Sequence, residues 1–498
     1  MFCISRQRRQ RWIGGAVAAL AILVAAVPLA GGSTASAAAA QPNVVVIMVD
    51  DMNVSALAYM PQVRSLIGAP GTVFTNSVVS YSLCCPSRAT FLTGQYAHNH
   101  DVLDNAPPDG GYAKLRGAET LPVWLRRAGY ATGHVGKFLN GYGTQAPTEI
   151  PPGWTEWYGS IDPTTYRMWG YTLNENGTLH TYGTSTVEDP ALYQTDVYAT
   201  KAVSFINRRA ASTQPFFLSF APLAPHGEGN SGADLSQRNP RPAPRHRGDL
   251  DTAMLPKPPS WNEANVSDKP AAIRALPPID AAEEARIEQR RLRGRLESLL
   301  AVDDAVASIV AALRSHGELD NTLIVFTSDN GWMQGEHRIT QGKVVPYEES
   351  IRVPLMIRGP GLPAGRQVST IAANIDLAPT ILDVTGATAG VTLDGQSLVP
   401  IANSTDTLLR GIVIETGPRT GNARWYAGIR SPRWKYVEHS SGERELYDLN
   451  LDPYELRSVH ADPRYTQVRQ ALAARLDTLR TCAGNACRQW TPVPPPSP

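Results

Sequence analysis

Two kinds of apolar pattern alternate along the chain. Asn43–Val49 reads Asn-Val-Val-Val-Ile-Met-Val, a near-continuous β-branched run of the kind buried on both faces of a parallel sheet. Phe216–Phe220 and Leu323–Thr327 are two more such runs, and Ala131–Val135 is a shorter fourth. Helical spacing lies between them. It is clearest from Ala281 to His316, where Leu292, Leu296, Leu299, Leu300, Ile309, Val310 and Leu313 fall on one stripe. This alternation predicts an α/β fold, a large, mainly parallel sheet between helices. Beyond Arg410 the runs shorten to 411–414, 426–429, 434–437 and 445–449, followed by a helix near 467–479. They predict a small C-terminal antiparallel sheet with one helix. The expected boundaries are 38–405 for the main domain and 406–490 for the subdomain, with a disordered Pro-rich tail at 491–498. The Pro-, Arg- and Asp-rich stretch from Gly229 to Ile279 reads as an ordered surface loop walling a cleft.

The first residues read differently. Arg6, Arg8, Arg9 and Arg11 precede an apolar run from about Trp12 to Leu29, and Ala35-Ser36-Ala37 follows as a small-residue cleavage site. Residues 1–37 are expected to be a secretory signal peptide. The run is short, Gly/Ala-rich and broken by Gly31-Gly32-Ser33-Thr34, which argues against a membrane anchor after cleavage. The expected location is extracellular or periplasmic. Arg8-Arg9 is followed by Gln10 and Arg11, not by apolar residues, so the export route is not assigned.

Composition narrows the function. Loss of four arginines and no acids takes the formal charge from +1 to −3, and no basic stripe points to nucleic acid. Five cysteines become four. Cys482 and Cys487 enclose a short loop and are expected to pair as a disulfide in an oxidising compartment, the alternative being two free thiols. Cys84 and Cys85 are adjacent, and a bond between them would be strained.

Polar groups follow each predicted strand. Asp50-Asp51 follow the first, Lys137 the Ala131 run, His226 the Phe216 run and Asp329-Asn330 the Leu323 run. Sites in open α/β sheets form at the carboxyl ends of strands. Any one of these is an ordinary loop residue; the set is a site. Asp50, Asp51, Asp329 and Asn330 are hard oxygen donors suited to Ca²⁺ or Mg²⁺ over zinc, although Asp329-Asn330-Gly331 is also a good turn sequence. Three carboxylates, one divalent cation, Arg88, Lys137 and Lys343 together give a pocket of about +2, suited to a sulfate or phosphate ester. Cys84-Cys85-Pro86-Ser87-Arg88 stands where a helix should begin, which puts Cys84 at its positive end.

The stretch from Cys84 to Gly94 resembles the sulfatase signature Cys-x-Pro-Ser-Arg-x-x-x-Leu-Thr-Gly. Gly129–Lys137, Ala224-Pro225-His226, Thr327–Gly331, Tyr347–Pro354, Asp376–Thr380, Asp394-Gly395 and Glu445–Leu449 are similar to further family segments. Order and spacing resemble the type I, formylglycine-dependent sulfatases of the alkaline-phosphatase superfamily. Leu83–Arg88, His98-Asn99-His100 and Gly136–Asn140 resemble the glucosamine-6-sulfatase and extracellular heparan endosulfatase branch.

The resemblance implies an alkaline-phosphatase-like fold and a sulfuric ester hydrolase. Cys84 would be oxidised to 3-oxoalanine (formylglycine) by a formylglycine-generating enzyme. Its hydrate would attack sulfur and carry a covalent sulfate. Asp50, Asp51, Asp329 and Asn330, with the modified Cys84, would hold Ca²⁺ or Mg²⁺. Arg88, Lys137 and Lys343 would stabilise the sulfuryl group, and His226 or Lys343 would protonate the leaving oxygen. The substrate would be a sulfated glycan or small molecule, such as a 6-O-sulfated amino sugar or an aryl sulfate. One departure stands out: many sulfatases have a histidine two residues after the signature lysine, where this chain has Leu139. Asn140 can bind sulfate but is no base, so His337 is the candidate to contribute from another loop. His98, His100 and His134 are expected to be structural. The rival readings are a phosphonate or phosphate monoester hydrolase of the same superfamily, and a non-catalytic binder of sulfated glycans with Cys84 unmodified.

Overall fold

The computed structural model describes residues 41–497 apart from 230–238, 407 and 418–425. The expected signal peptide lies outside the described residues. Sixteen strands are present among those described: β1 Asn43–Val49, β2 Thr72–Phe74, β3 Ser77–Val78, β4 Ala131–Gly136, β5 Glu156–Ser160, β6 Tyr171–Glu175, β7 Thr178–Tyr182, β8 Phe216–Ala221, β9 Thr322–Ser328, β10 Leu355–Arg358, β11 Arg366–Val368, β12 Ala372–Ala373, β13 Ile412–Glu415, β14 Tyr426–Arg430, β15 Trp434–His439 and β16 Arg444–Asp448. The main sheet has ten strands in the order β11-β2-β10-β9-β1-β8-β4-β5-β6-β7. Its centre, β9-β1-β8-β4-β5, is parallel. Antiparallel β10 flanks it on one side, and β6 and β7 on the other. The fold class read from the apolar runs is the observed one.

β1 shows why. It is buried on both faces. Val45, Ile47 and Val49 pack into one apolar cluster with Phe205 and Ile206 of the Gln194–Arg209 helix and with Leu296 and Leu299 of the Arg293–Ser315 helix. Val44, Val46 and Met48 pack into the other, with Leu92, Trp124 and Ile381 from the helices Cys84–Thr93, Leu121–Arg127 and Leu377–Thr385. A strand with a helical layer on each side has no face for a polar residue.

β13 to β16 form an antiparallel sheet. Val468, Leu472, Leu476 and Leu479 of the Thr466–Leu479 helix close its core, beside the disulfide Cys482–Cys487. In the tail, Val493 packs against this core and the Ser497 N–H donates to the Arg464 carbonyl at 2.8 Å.

His100 and His134 are buried and structural. His134 stacks on Trp157 at 4.6 Å between rings and meets Ser219 Oγ and the Gly136 carbonyl, each at 3.2 Å. His100 meets Thr90 Oγ1 at 3.0 Å. Burial pushes both imidazoles from the usual 6.5 down to about 3. Between those values the unfolded chain holds more protons at these residues than the folded chain. Their contribution is therefore fully present above pH 6.5 and is lost on acidification, at up to about 1.4 kcal/mol per pH unit for each. We expect the melting temperature to fall from pH 7 to 5 and His134→Gln to flatten that slope. An unchanged slope in thermal melts would contradict it.

Candidate active site

All four predicted strand-end groups meet at the carboxyl edge of the parallel strands. Cys84 is the first residue of the Cys84–Thr93 helix and so stands at its positive end. Its Sγ is 2.8 Å from Lys343 Nζ and 3.5 Å from Asp50 Oδ1. Cys85, one residue on, points into the apolar cluster behind the helix. Burial, followed by the charge of Asp50, pushes the Cys84 thiol up to about 12, against the pull of Lys137 and Lys343. As a thiol it carries almost no thiolate at neutral pH.

The acidic residues interlock. The Asp51 N–H donates to Asp329 Oδ1 at 3.1 Å, and Asn330 Nδ2 donates to Asp51 Oδ1 at 2.6 Å. Asp51 holds a left-handed backbone, φ 67°, uncommon for a residue with a side chain and typical of over-determined functional turns. Arg88 Nε donates to Asp329 Oδ2 at 2.8 Å and Nη1 to the Lys137 carbonyl at 2.9 Å. Lys137 Nζ pairs with Asp50, and Lys343 Nζ with Asp51. Burial alone would raise the Asp50 and Asp51 carboxyls. Lys137 and His226 outweigh it at Asp50, Lys343 and His226 at Asp51, and both stay below the usual carboxylate range.

Two oxygens are left over: Asp51 Oδ2 and Asn330 Oδ1 are buried with no hydrogen-bond partner. Asp50, Asp51, Cys84 and His226 each bring one ligand-type atom within 4.8 Å of the others. Orphaned buried oxygens beside carboxylates fit a hard divalent cation. Asp329 is outside this tightest group; one of its oxygens accepts from Arg88 and the other from the Asp51 amide. His226 is inside it. Its Nδ1 bonds the Gly227 carbonyl at 2.7 Å, so Nδ1 carries the proton, and Nε2 faces Asp51 Oδ2 at 3.6 Å. Burial lowers its pKa despite Asp50 and Asp51.

Asn140 donates to the Tyr166 hydroxyl at 2.6 Å, its own Oδ1 is buried and unpartnered, and it lines a cavity of about 390 Å³ with Gly111, Tyr112 and Gly143. A larger cavity of about 770 Å³, between the Gln194–Arg209 and Arg293–Ser315 helices, contains none of the residues named for the site. Leu139 is buried in the apolar cluster with Phe138 and Trp157. A histidine there would enter the core. His337 is fully buried, bonded to Glu263 and packed on Tyr347, with no described contact to Cys84 or its partners.

Two residues escaped the sequence reading. Tyr166 follows β5, the fifth parallel strand; its ring lies 5.0 Å from Lys137 Nζ and 5.2 Å from the His226 ring. It ends the short 3-10 helix Thr164–Tyr166, which carries no motif. Arg295 donates to the carbonyls of Pro225, at 3.0 Å, and Asp51, and stacks on Trp332. Its signal was available: 295 falls on the apolar stripe of Leu292, Leu296 and Leu299, where a charge needs a buried partner. Arg295→Met would orphan two buried carbonyls. We expect a loss of about 2–3 kcal/mol of stability and, because Asp51 is freed to shift, about a tenfold fall in kcat with KM little changed. Unchanged kcat at full folding would remove Arg295 from a positioning role.

Comparison with known proteins identifies the family. The family model "Sulfatase" matches residues 42–387, and that for "N-sulphoglucosamine sulphohydrolase, C-terminal" matches 335–482. An arylsulfatase of Volvox carteri is 36% identical, covering 90% of this chain and 76% of its own. Human N-acetylglucosamine-6-sulfatase is 31% identical, covering 90% and 86%. A solved structure described as in complex with its substrate D-glucosamine-2-N,6-O-disulfate superposes with a TM-score of 0.72 at 25% identity, covering 89% and 98%. A phosphonate monoester hydrolase of Agrobacterium radiobacter shares the fold, with a TM-score of 0.65 at 24% identity, covering 88% and 95%. Matched over most of its length by the family model and by enzymes of that name, the chain belongs to the sulfatases of the alkaline-phosphatase superfamily, which hydrolyse sulfate esters.

Proposed function

We propose that this sulfatase uses Cys84, oxidised to formylglycine, as its nucleophilic position, with one hard divalent cation, Ca²⁺ or Mg²⁺, held by Asp50, Asp51, Asp329 and Asn330. The observation that carries the reading is Cys84 Sγ at a helix start, 2.8 Å from Lys343 Nζ and 3.5 Å from Asp50 Oδ1. The unmodified thiol is a poor nucleophile there, its pKa raised to about 12. A hydrated aldehyde supplies an in-line nucleophile and a second hydroxyl whose collapse expels sulfate. The cation, when bound, supplies charge that acidifies the nucleophile and neutralises the sulfuryl oxygens.

The chain's own residues do the rest. Arg88 is held by Asp329 and the Lys137 carbonyl, so its guanidinium is fixed before substrate arrives. Lys137 is buried between Asp50 and the Tyr166 ring. Both present fixed positive charge to the sulfuryl oxygens without reorganisation. Lys343 keeps its proton, since Asp51 and Asp50 outweigh the effect of its burial. His226 is neutral at pH 7. Lys343 Nζ and His226 are the two candidates to protonate the leaving oxygen. Asn140 and Tyr166 line the approach and bind sulfate or sugar oxygens.

The substrate class proposed is a 6-O-sulfated amino sugar, with aryl sulfates as convenient surrogates; the named relatives support it. Residues 1–37 are proposed to direct export, so the protein acts extracellularly or in the periplasm. Among the described residues no helix is long and apolar enough to cross a membrane. A formylglycine-generating enzyme is the implied partner.

Mass analysis of the Cys84 peptide tests the reading: conversion of –CH₂SH to –CHO lowers the mass by about 18 Da. An unshifted peptide in an active preparation would overturn it, and one in an inactive preparation would favour the sulfated-glycan binder. Paired assays with an aryl sulfate and the matched phosphate or phosphonate address the other rival; a preference for either of the latter would reassign the substrate class.

A further inference from the structure

A second buried polar cluster shares no residue with the one around Cys84. At its centre His337 Nδ1 meets Glu263 Oε2 at 2.7 Å, and Lys269 holds the other oxygen of that carboxylate at 3.2 Å. An ionised carboxylate can only accept, so Nδ1 carries a proton and Nε2 is the ring nitrogen left to face the rest of the cluster. That Nε2 is buried and has no hydrogen-bond partner, and the same is true of Glu349 Oε2. One ligand-type atom from each of His337, Glu349 and Glu455 lies within 4.8 Å of the others. Glu349 Oε1 accepts from Ser260 Oγ at 3.2 Å, and Glu455 Oε2 accepts from the Glu348 N–H at 2.8 Å. Glu455 Oε1 has Lys435 Nζ at 2.5 Å, without a well-angled hydrogen bond.

A lone pair facing two carboxylates in a buried space is repulsive. Against the effect of burial, Glu263, Glu349 and Glu455 raise the pKa of His337, so a proton on Nε2 relieves part of the repulsion but has no acceptor in hydrogen-bond range, whereas a divalent cation neutralises the carboxylates and takes the lone pair. Lys435 pairs with Glu455 as well as with Glu348, and the other nearby cations are committed elsewhere. Arg430 and Lys435 pair with Glu348, Arg338 donates to the carbonyls of Glu263, Leu276 and Ala264, and Arg352 donates to the Thr75 carbonyl. Among the described residues neither Glu336 nor Glu349 has an ion pair.

We propose that His337 Nε2, Glu349 and Glu455 form a second metal site, for a borderline divalent cation such as zinc. One imidazole with two carboxylates is a zinc-type donor set, unlike the oxygen set beside Cys84. The Glu263–His337 bond is the outer-shell contact that orients a metal-binding histidine. A cavity of about 410 Å³, lined by Pro256, Lys257, Gln334, Glu336 and Glu349, gives an entry path. The three ligands and Glu263 come from three segments: the 229–279 loop, the stretch 335–349 that also carries Lys343, and the C-terminal subdomain. The ion is structural, tying the Lys343 loop to both neighbours.

The test uses the full-length protein exposed to zinc and then dialysed. Elemental analysis is expected to find about one zinc per chain, falling below about 0.1 in Glu349→Gln and unchanged in Asp51→Ala. Glu349→Gln is near-isosteric and keeps an acceptor for Ser260, and zinc should raise the melting temperature of the wild type but not of this variant. Crystals of the wild type, measured at the zinc edge, should show an anomalous peak between His337 Nε2 and Glu349 Oε2. The proposal is overturned by zinc retained in Glu349→Gln, by a peak only beside Cys84, or by no binding and no thermal shift at about 100 μM zinc.

Discussion

Cys84→Ala is expected to fold normally and to lose at least about 10⁴-fold in turnover of an aryl sulfate, because the nucleophile disappears while the positively charged pocket remains. The Sγ is buried among polar groups, not in an apolar core, so deleting it opens no hydrophobic cavity. Its loss should move the melting temperature by only a few degrees. Cys85→Ala is expected to do the opposite. Cys85 packs in the apolar cluster behind the helix, and truncation there costs about 1–2 kcal/mol while activity largely persists. The pair separates the chemical cysteine from the packing cysteine one residue away. Parallel thermal melts and initial rates decide it. An active, cleanly purified Cys84→Ala protein, or a folded but dead Cys85→Ala protein, would sink the assignment.

The parts of the site legible in the sequence share one physical property. Asp50, Asp51, Lys137, Asp329 and Asn330 directly follow strands marked by apolar runs, His226 comes a short loop after another, and parallel packing brings strand ends together whatever the loops do. Local pattern therefore located them. Tyr166 also follows a parallel strand, but β5 is Glu156–Ser160, with Glu156 and Tyr158 only partly buried, and it lacks the apolar run that marks the others. Arg295 announced itself as a charge on an apolar stripe, yet its partners are backbone carbonyls, which no side-chain pattern records. His337 is the histidine on another loop that could have stood in for the base missing at Leu139. Its surroundings are set by Glu263, Glu349 and Glu455, two of them many tens of residues away along the chain, and distant pairings of that kind leave no local trace. Leu139 shows the same limit from the other side. Its place two residues after Lys137 looked like a missing base, whereas the chain turns there and buries it.

Asp51→Ala should empty the hard-cation site and lower kcat/KM by about 10³–10⁵-fold, since nucleophile activation and charge neutralisation are lost together. Asp51 stands at the junction of the cluster. It accepts from Asn330, pairs with Lys343, offers its amide to Asp329 and keeps one oxygen unpartnered. Its carboxyl is held below the usual range, burial being outweighed by Lys343 and His226, so it is ionised throughout the neutral range and ready to ligate. Removing it also frees Lys343, so activity alone would not isolate the metal. Asp51→Asn keeps the volume and one oxygen donor. It should bind Ca²⁺ or Mg²⁺ more weakly than the wild type and recover part of its rate when either is added in excess, whereas Asp51→Ala should not. Elemental analysis of the same preparations supplies the second readout: about one Ca²⁺ or Mg²⁺ per wild-type chain and none in Asp51→Ala. An active wild type with neither ion, or an Asp51→Ala protein that keeps its full equivalent, would show that these carboxylates serve the lysines and not a cation.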